Sequence, residues 1–222
     1  MGIITGYLCL LCMLFLMLKY AARKFRWDRV SSFLMKYHKY AAALFLLISV
    51  AHFLFVLPVL ASRLPVIAVS GIVASAAGLA IVIFCHTMKD RRKELLLHHL
   101  LSLLIVGMVL VHMVFYQVGF SRYQTQIREI AVNEVDLSGV PDGEYIGEND
   151  VGYIYAKVRL TVKDGKITKA ELLEHRNERG SRAETIPERI VSEQRIQVDA
   201  VSGATNSSRV IEKACENALR GN

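Results

Sequence analysis

Residues 97–118 read LHHLLSLLIVGMVLVHMVFYQV, with no Asp, Glu, Lys or Arg. A helix needs about 20 apolar residues to cross the hydrocarbon core of a bilayer. The stretch therefore reads as a membrane helix, and residues 3–18, 40–60 and 64–86 read the same way. The first has no basic residues before it and a basic cluster after it. It is expected to be a retained helix rather than a cleaved signal. Residues 1–120 are thus expected to form an all-α four-helix transmembrane bundle.

The histidines inside these segments are the next signal. Six of the seven lie in this half: His38, His52, His86, His98, His99 and His112. Ionisable side chains are costly in a membrane and mark function by default. His38 and His52 are two heptads apart on the second helix, and His98 and His112 are two heptads apart on the fourth. Both members of each pair then share a helix face, roughly 21 Å apart along the axis. The two helices run in the same direction, so His38 is expected level with His98, and His52 level with His112. His99 is thirteen residues from His112 and falls off that face. His86 and His99, near helix ends, suit packing or interfacial roles. Zinc would need three or four ligands per site, and no Cys, Asp or Glu is available at these depths. Iron in a b-type haem takes two axial histidines, which makes two haems the reading that fits two stacked pairs. A proton path or a quinone site are the alternatives. Small residues nearby, among them Gly71, Ala74, Ala77, Gly78 and Gly107, let helices approach.

Charge separates the halves. Residues 1–120 carry 12 Lys/Arg against 3 Asp/Glu, whereas residues 121–222 carry 15 against 17. The basic excess sits beside apolar runs, which speaks for membrane topology and against nucleic-acid binding. The first and third loops hold eleven basic residues, against three in the second loop and after the last helix. This predicts a cytoplasmic-membrane protein with both termini outside. Four scattered cysteines make neither a disulfide framework nor a zinc site, and Cys9-x-x-Cys12 reads as packing sulfur.

Residues 121–135 read as a juxtamembrane linker with a short helix. Residues 136–222 then change period. Residues 153–160 alternate as a strand, Asp164-Gly165 reads as a hairpin turn, and Ile167–Leu173 as the return strand. Glu174–Arg182 reads as a charged loop, residues 183–194 as a helix, Ile196–Val198 as a short extended piece, and Asn206–Leu219 as an amphipathic helix. Between the last two lies Asp199-Ala200-Val201-Ser202-Gly203-Ala204-Thr205-Asn206-Ser207-Ser208. Gly203 frees the backbone, Ala204 keeps the approach open, and Asn206, Ser207 and Ser208 are N-cap types at a helix start that favours an anion. An ordinary capped turn is the bland alternative.

Two resemblances extend this. Paired histidines with thirteen intervening residues resemble the transmembrane domain of ferric reductases and NADPH oxidases. That likeness implies two b haems stacked across the membrane, on His38/His98 and His52/His112. Those proteins usually have six helices and a cytoplasmic FAD/NADPH domain. Here there are four helices and no GxGxxG fingerprint, so a quinol or a redox protein is expected as donor. Residues 136–219 are similar to the FMN-binding domain of the C subunit of sodium-translocating NADH:quinone reductase and the G subunit of the Rnf complex. The shared features are Asp142-Gly143-Glu144-Tyr145, residues 162–167, His175–Gly180 and Asp199–Ser208. The likeness implies FMN joined to Thr205 by a phosphoester, attached outside the cytoplasmic membrane by a flavin transferase that recognises a motif including Asp199. It also implies that Ser202, Gly203, Ala204, Asn206 and Ser207 line the phosphate.

The expected whole is a multi-domain membrane protein: a four-helix bundle followed by a small α+β FMN-binding domain. Electrons are expected to pass from a cytoplasmic-side or quinol donor to an extracytoplasmic acceptor. No catalytic constellation stands out, which favours an electron-transfer component. Two other readings stay open: an FMN-carrying subunit of a larger redox complex, anchored by its helices, and a ligand- or redox-sensing module without turnover.

Overall fold

The computed structural model describes residues 1–221. The chain divides into two compact units, Met1–Tyr116 and Gln117–Asn222.

The first unit is built on α1 (Gly2–Lys24), α2 (Asp28–Val56), α3 (Pro65–Thr87) and the membrane part of α4 (Arg91–Glu129). All four helices are long and apolar enough to cross a membrane. α1 and α4 extend well past the apolar segments read from sequence, α2 starts twelve residues before its segment and ends at Val56, and α3 nearly coincides with its own. Of the seven basic residues assigned to the first loop, only Arg26 lies in the turn between α1 and α2; the others are helical. Backbone bonding continues where the solvent becomes polar, so hydropathy marks the membrane rather than the helix. Arg26 takes a left-handed φ of 55°, and the N–H of Trp27 reaches back to the Ala22 carbonyl at 2.8 Å. That closes α1 with a Schellman turn. At the start of α4, Asp90 Oδ1 accepts from the Arg92 and Lys93 amides. Pro65 opens α3 in its first turn, where a missing N–H costs nothing.

The centre of this unit is Met13, Phe45, Ala74, Ala77 and Ile105. On α3 the buried residues are Ile67, Ser70, Ala74, Ala77 and Gly78, a near-heptad stripe of mostly small side chains. A Cβ at Gly78 would come within 3.1 Å of Leu46.

The second unit wraps a three-stranded antiparallel sheet, ordered β1 (Gly143–Asp150), β2 (Tyr155–Lys163), β3 (Lys166–Arg176). On β2, Ala156, Val158, Leu160 and Val162 are buried and alternate with more exposed residues, the period-two pattern of a half-buried strand. Asp164 and Gly165, with φ of 51° and 69°, turn β2 into β3. α5 (Ile186–Glu193) and α6 (Thr205–Arg220) complete the unit. α6 presses Val210, Ile211, Ala214, Cys215 and Ala218 into the core. A Cβ at Gly147 on β1 would overlap the backbone of Ala214 and Ala218.

Several elements differ from the sequence reading. β1 was not expected; its Gly, Glu, Asn and Asp are poor strand formers, and pairing with β2 supplies the order. β3 runs on to Arg176 instead of giving way to a loop at Glu174. There the Arg176 guanidinium lies 3.1 Å from Glu174 and 3.7 Å from Asp150 on β1. The short piece Ile196–Val198 joins no sheet: the Ile196 and Gln197 amides donate to the Glu134 carboxylate. The predicted helix 183–194 is a 3-10 turn, Ser181–Thr185, followed by α5. The short linker helix does not extend to Val135. α4 stops at Glu129, and the chain beyond is tied down by side chains. Glu216 accepts from the Asn133 amide, Lys213 donates to the Ala131 carbonyl, and Gln197 donates to the Val132 carbonyl.

Candidate cofactor sites

In the first unit the four paired histidines meet as expected from their spacing. The His38 and His98 rings have centroids 6.1 Å apart, and the His52 and His112 rings 6.3 Å apart. His99 stands 6.0 Å from His98. His86 Nδ1 bonds the Val82 carbonyl of its own helix. The two levels are held differently. At the His52/His112 level, His52 Nδ1 lies 2.9 Å from the Gly2 carbonyl and His112 Nδ1 lies 2.9 Å from the Ile67 carbonyl. At the His38/His98 level, His98 Nδ1 is 3.9 Å from Cys85 Sγ, a cysteine that the sequence reading did not place at this depth. Among the described residues no group of three or more His, Cys, Asp or Glu could hold a metal ion; what the unit offers is two imidazoles at a time.

In the second unit the sequence motif sits where the chain turns into α6. Gly203 has φ of 77° and open space where a Cβ would stand, so backbone conformation is what requires glycine there. The N-cap is Ala204, with no side-chain cap. Asn206, Ser207 and Ser208, expected near the cap, therefore lie inside the first turn. Ala is a poor N-cap, and the first amides of α6 are left available to an anion. Asp199, Ser202, Gly203 and Thr205 are exposed, whereas Ala204 is buried. Ser208 braces the loop: its Oγ accepts from the Val201 amide at 3.0 Å and donates to the Ala204 carbonyl.

Ser207 turns inward. It is 1% exposed, and its Oγ lies 3.2 Å from His175 Nε2. His175 Nδ1 is 3.0 Å from Glu184 and 3.1 Å from the Asn177 amide nitrogen. A Cβ at Gly180 would overlap the Ser207 hydroxyl. The segment His175–Gly180 is thereby locked to the first turn of α6. Asn206 donates to the Tyr123 hydroxyl at 2.8 Å, and Tyr123 stacks on Tyr153 with centroids 4.8 Å apart. These partners were not read from sequence, because they come from four separate parts of the chain.

Farther along α6, Glu212 is 6% exposed, and its Oε1 has no hydrogen-bond partner among the described residues. Burial pushes its carboxyl up to about 7. Glu216 is also buried, yet it is held below the usual range; Lys213 and the Asn133 backbone and side chain outweigh the effect of burial.

Residues 152–220 match the FMN-binding domain family. No curated protein and no solved structure gives a match to this chain. The likeness lies within the second unit and covers the entire motif at the start of α6.

Proposed function

We propose that the chain is a membrane flavocytochrome that carries electrons across a bilayer. In this reading His38 with His98 and His52 with His112 hold two b-type haems, and Thr205 carries FMN through a phosphoester bond. One observation carries it: a single chain joins an FMN-binding domain to a helical unit whose four histidines meet as two stacked pairs.

The pair spacing supports haem. With metal–nitrogen bonds of about 2 Å and each ring centre about 1.1 Å behind its nitrogen, two imidazoles on one iron would have centres roughly 6.2 Å apart. The observed 6.1 and 6.3 Å fit that arrangement. Bound haem and flavin would supply the electron carriage. The chain's own residues provide the rest. Four imidazoles would hold two haem irons at two levels, His38 with His98 at the inner and His52 with His112 at the outer. The amides at the start of α6 favour a phosphate, and the exposed Thr205 hydroxyl is open to a flavin transferase. Ser208, His175 and Asn206 hold that turn in shape. Exposed apolar side chains along all four helices suit lipid. The excess of basic residues in the first and third loops favours a cytoplasmic membrane, with both termini and the FMN-binding domain outside. A quinol or cytoplasmic-side redox protein would be the donor, and an extracytoplasmic protein or molecule the acceptor.

The flavin half is tested by co-expressing the chain with a flavin transferase and imaging the denatured protein in a gel. Ultraviolet fluorescence should follow the wild-type band and vanish in Thr205→Ala. Fluorescence that persists in that variant contradicts the attachment site.

A further inference from the structure

The two outer histidines are held by the same device on two different helices. His52 Nδ1 lies 2.9 Å from the Gly2 carbonyl and 3.1 Å from Thr5 Oγ1. His112 Nδ1 lies 2.9 Å from the Ile67 carbonyl and 3.3 Å from Ser70 Oγ. Each hydroxyl donates to the same carbonyl that meets the ring, Thr5 to Gly2 at 2.9 Å and Ser70 to Ile67 at 3.1 Å. The next residue is glycine in both helices. A Cβ at Gly6 would stand 3.2 Å from His52 Cε1, and one at Gly71 would stand 3.4 Å from His112 Nδ1. Carbonyl, hydroxyl three residues on, glycine four residues on: the pattern occurs once on α1 as Gly2-Thr5-Gly6 and once on α3 as Ile67-Ser70-Gly71. Neither His38 nor His98 has a backbone carbonyl partner among the described residues.

We propose that Thr5 and Ser70 are positioning residues for the outer histidine pair, fixing Nδ1 as the protonated nitrogen and leaving Nε2 of His52 and His112 to bind iron. This rests on the haem reading above. The chemistry is direct. A hydroxyl whose proton points at a carbonyl presents only lone pairs to the ring, and the carbonyl itself only accepts. Nδ1 must then carry the hydrogen, and Nε2 is left bare. A donated Nδ1–H makes an imidazole a more basic ligand, which favours ferric iron and lowers the potential. The inner pair lacks this arrangement, so the two levels are electronically distinct. Gly6 and Gly71 let the carbonyl-bearing turns approach the rings without a side chain between them.

The test is a redox titration of the haem α-band in the purified full-length chain. The wild type should titrate as two components. In Thr5→Val/Ser70→Ala, one component should move to higher potential while the other stays, with two haems still bound. Thr5→Ser, which keeps the hydroxyl, should titrate as wild type. Gly71→Val, which pushes into the His112 ring, should bind one haem per chain instead of two. Two wild-type components that neither the hydroxyl nor the glycine variants disturb would overturn the positioning role while leaving the haems intact. A wild type with no α-band would overturn both.

Discussion

The two units place their side chains by opposite rules. In Met1–Tyr116, large apolar side chains such as Leu47 and Leu103 face outward, and the buried stripe of α3 is mostly small or polar, with Ser70 almost fully buried. In Gln117–Asn222, Leu160, Ile167, Ile190 and Ile211 are buried, and most charge lies outside, with Glu212 and Glu216 as buried exceptions. The reversal follows from solvent. Lipid removes the drive to hide leucine, so helix contacts form through small residues and hydrogen bonds. Water restores that drive, and the second unit builds an ordinary core. The candidate site residues inherit the difference. Histidines in the first unit are set by period along straight helices. The Thr205 turn in the second is set by contacts from distant segments.

The largest expected effect breaks one rule and spares the other. Gly147→Val forces a side chain into the α6 backbone. Overpacking against main chain cannot relax cheaply and should cost several kcal/mol, enough to unfold the second unit. Limited proteolysis in detergent should then degrade residues 117–222 and leave the helical unit intact. Degradation of both together would show that the units are not independent.

A smaller effect sharpens the account of the second core. The Glu212 carboxyl titrates near 7 when folded, against 4.5 as the ordinary value. Between those values the folded chain keeps a proton that the unfolded chain releases. Stability should therefore fall as pH rises through that window and level off above it. Glu212→Gln should remove this dependence and raise stability at pH 8 by on the order of 2 kcal/mol. Thermal melts at pH 5 and pH 8 measure it; an unchanged pH dependence in the variant contradicts the assignment.

Periodic and local signals were legible in the sequence. The two-heptad spacing of His38/His52 and His98/His112 survives folding because a helix preserves its period. The turn at Ser202-Gly203-Ala204-Thr205 is local, and Gly203 announces its own backbone. β2 was visible by alternation, whereas β1 was not, because its residues have no strand preference apart from their partner. The contacts of Thr5 with His52, Asn206 with Tyr123, Ser207 with His175, and Glu134 with Ile196 were also hidden. Each joins segments more than thirty residues apart, and no residue type involved demands that partner. The cap of α6 was misplaced for a related reason. Three good cap residues follow Thr205, yet Ser207 and Ser208 are directed to His175 and Val201 instead.

The central claim is that one chain holds both haem and flavin. The most direct measurement is the absorption spectrum of the purified full-length chain, co-expressed with a flavin transferase and recorded oxidised and dithionite-reduced. A flavin band should bleach and a b-type α-band should appear on reduction, with two haems and one flavin per chain. In His52→Ala/His112→Ala the haem content should halve while the flavin stays. A wild-type spectrum with flavin but no α-band would contradict the claim and leave the four helices as an anchor.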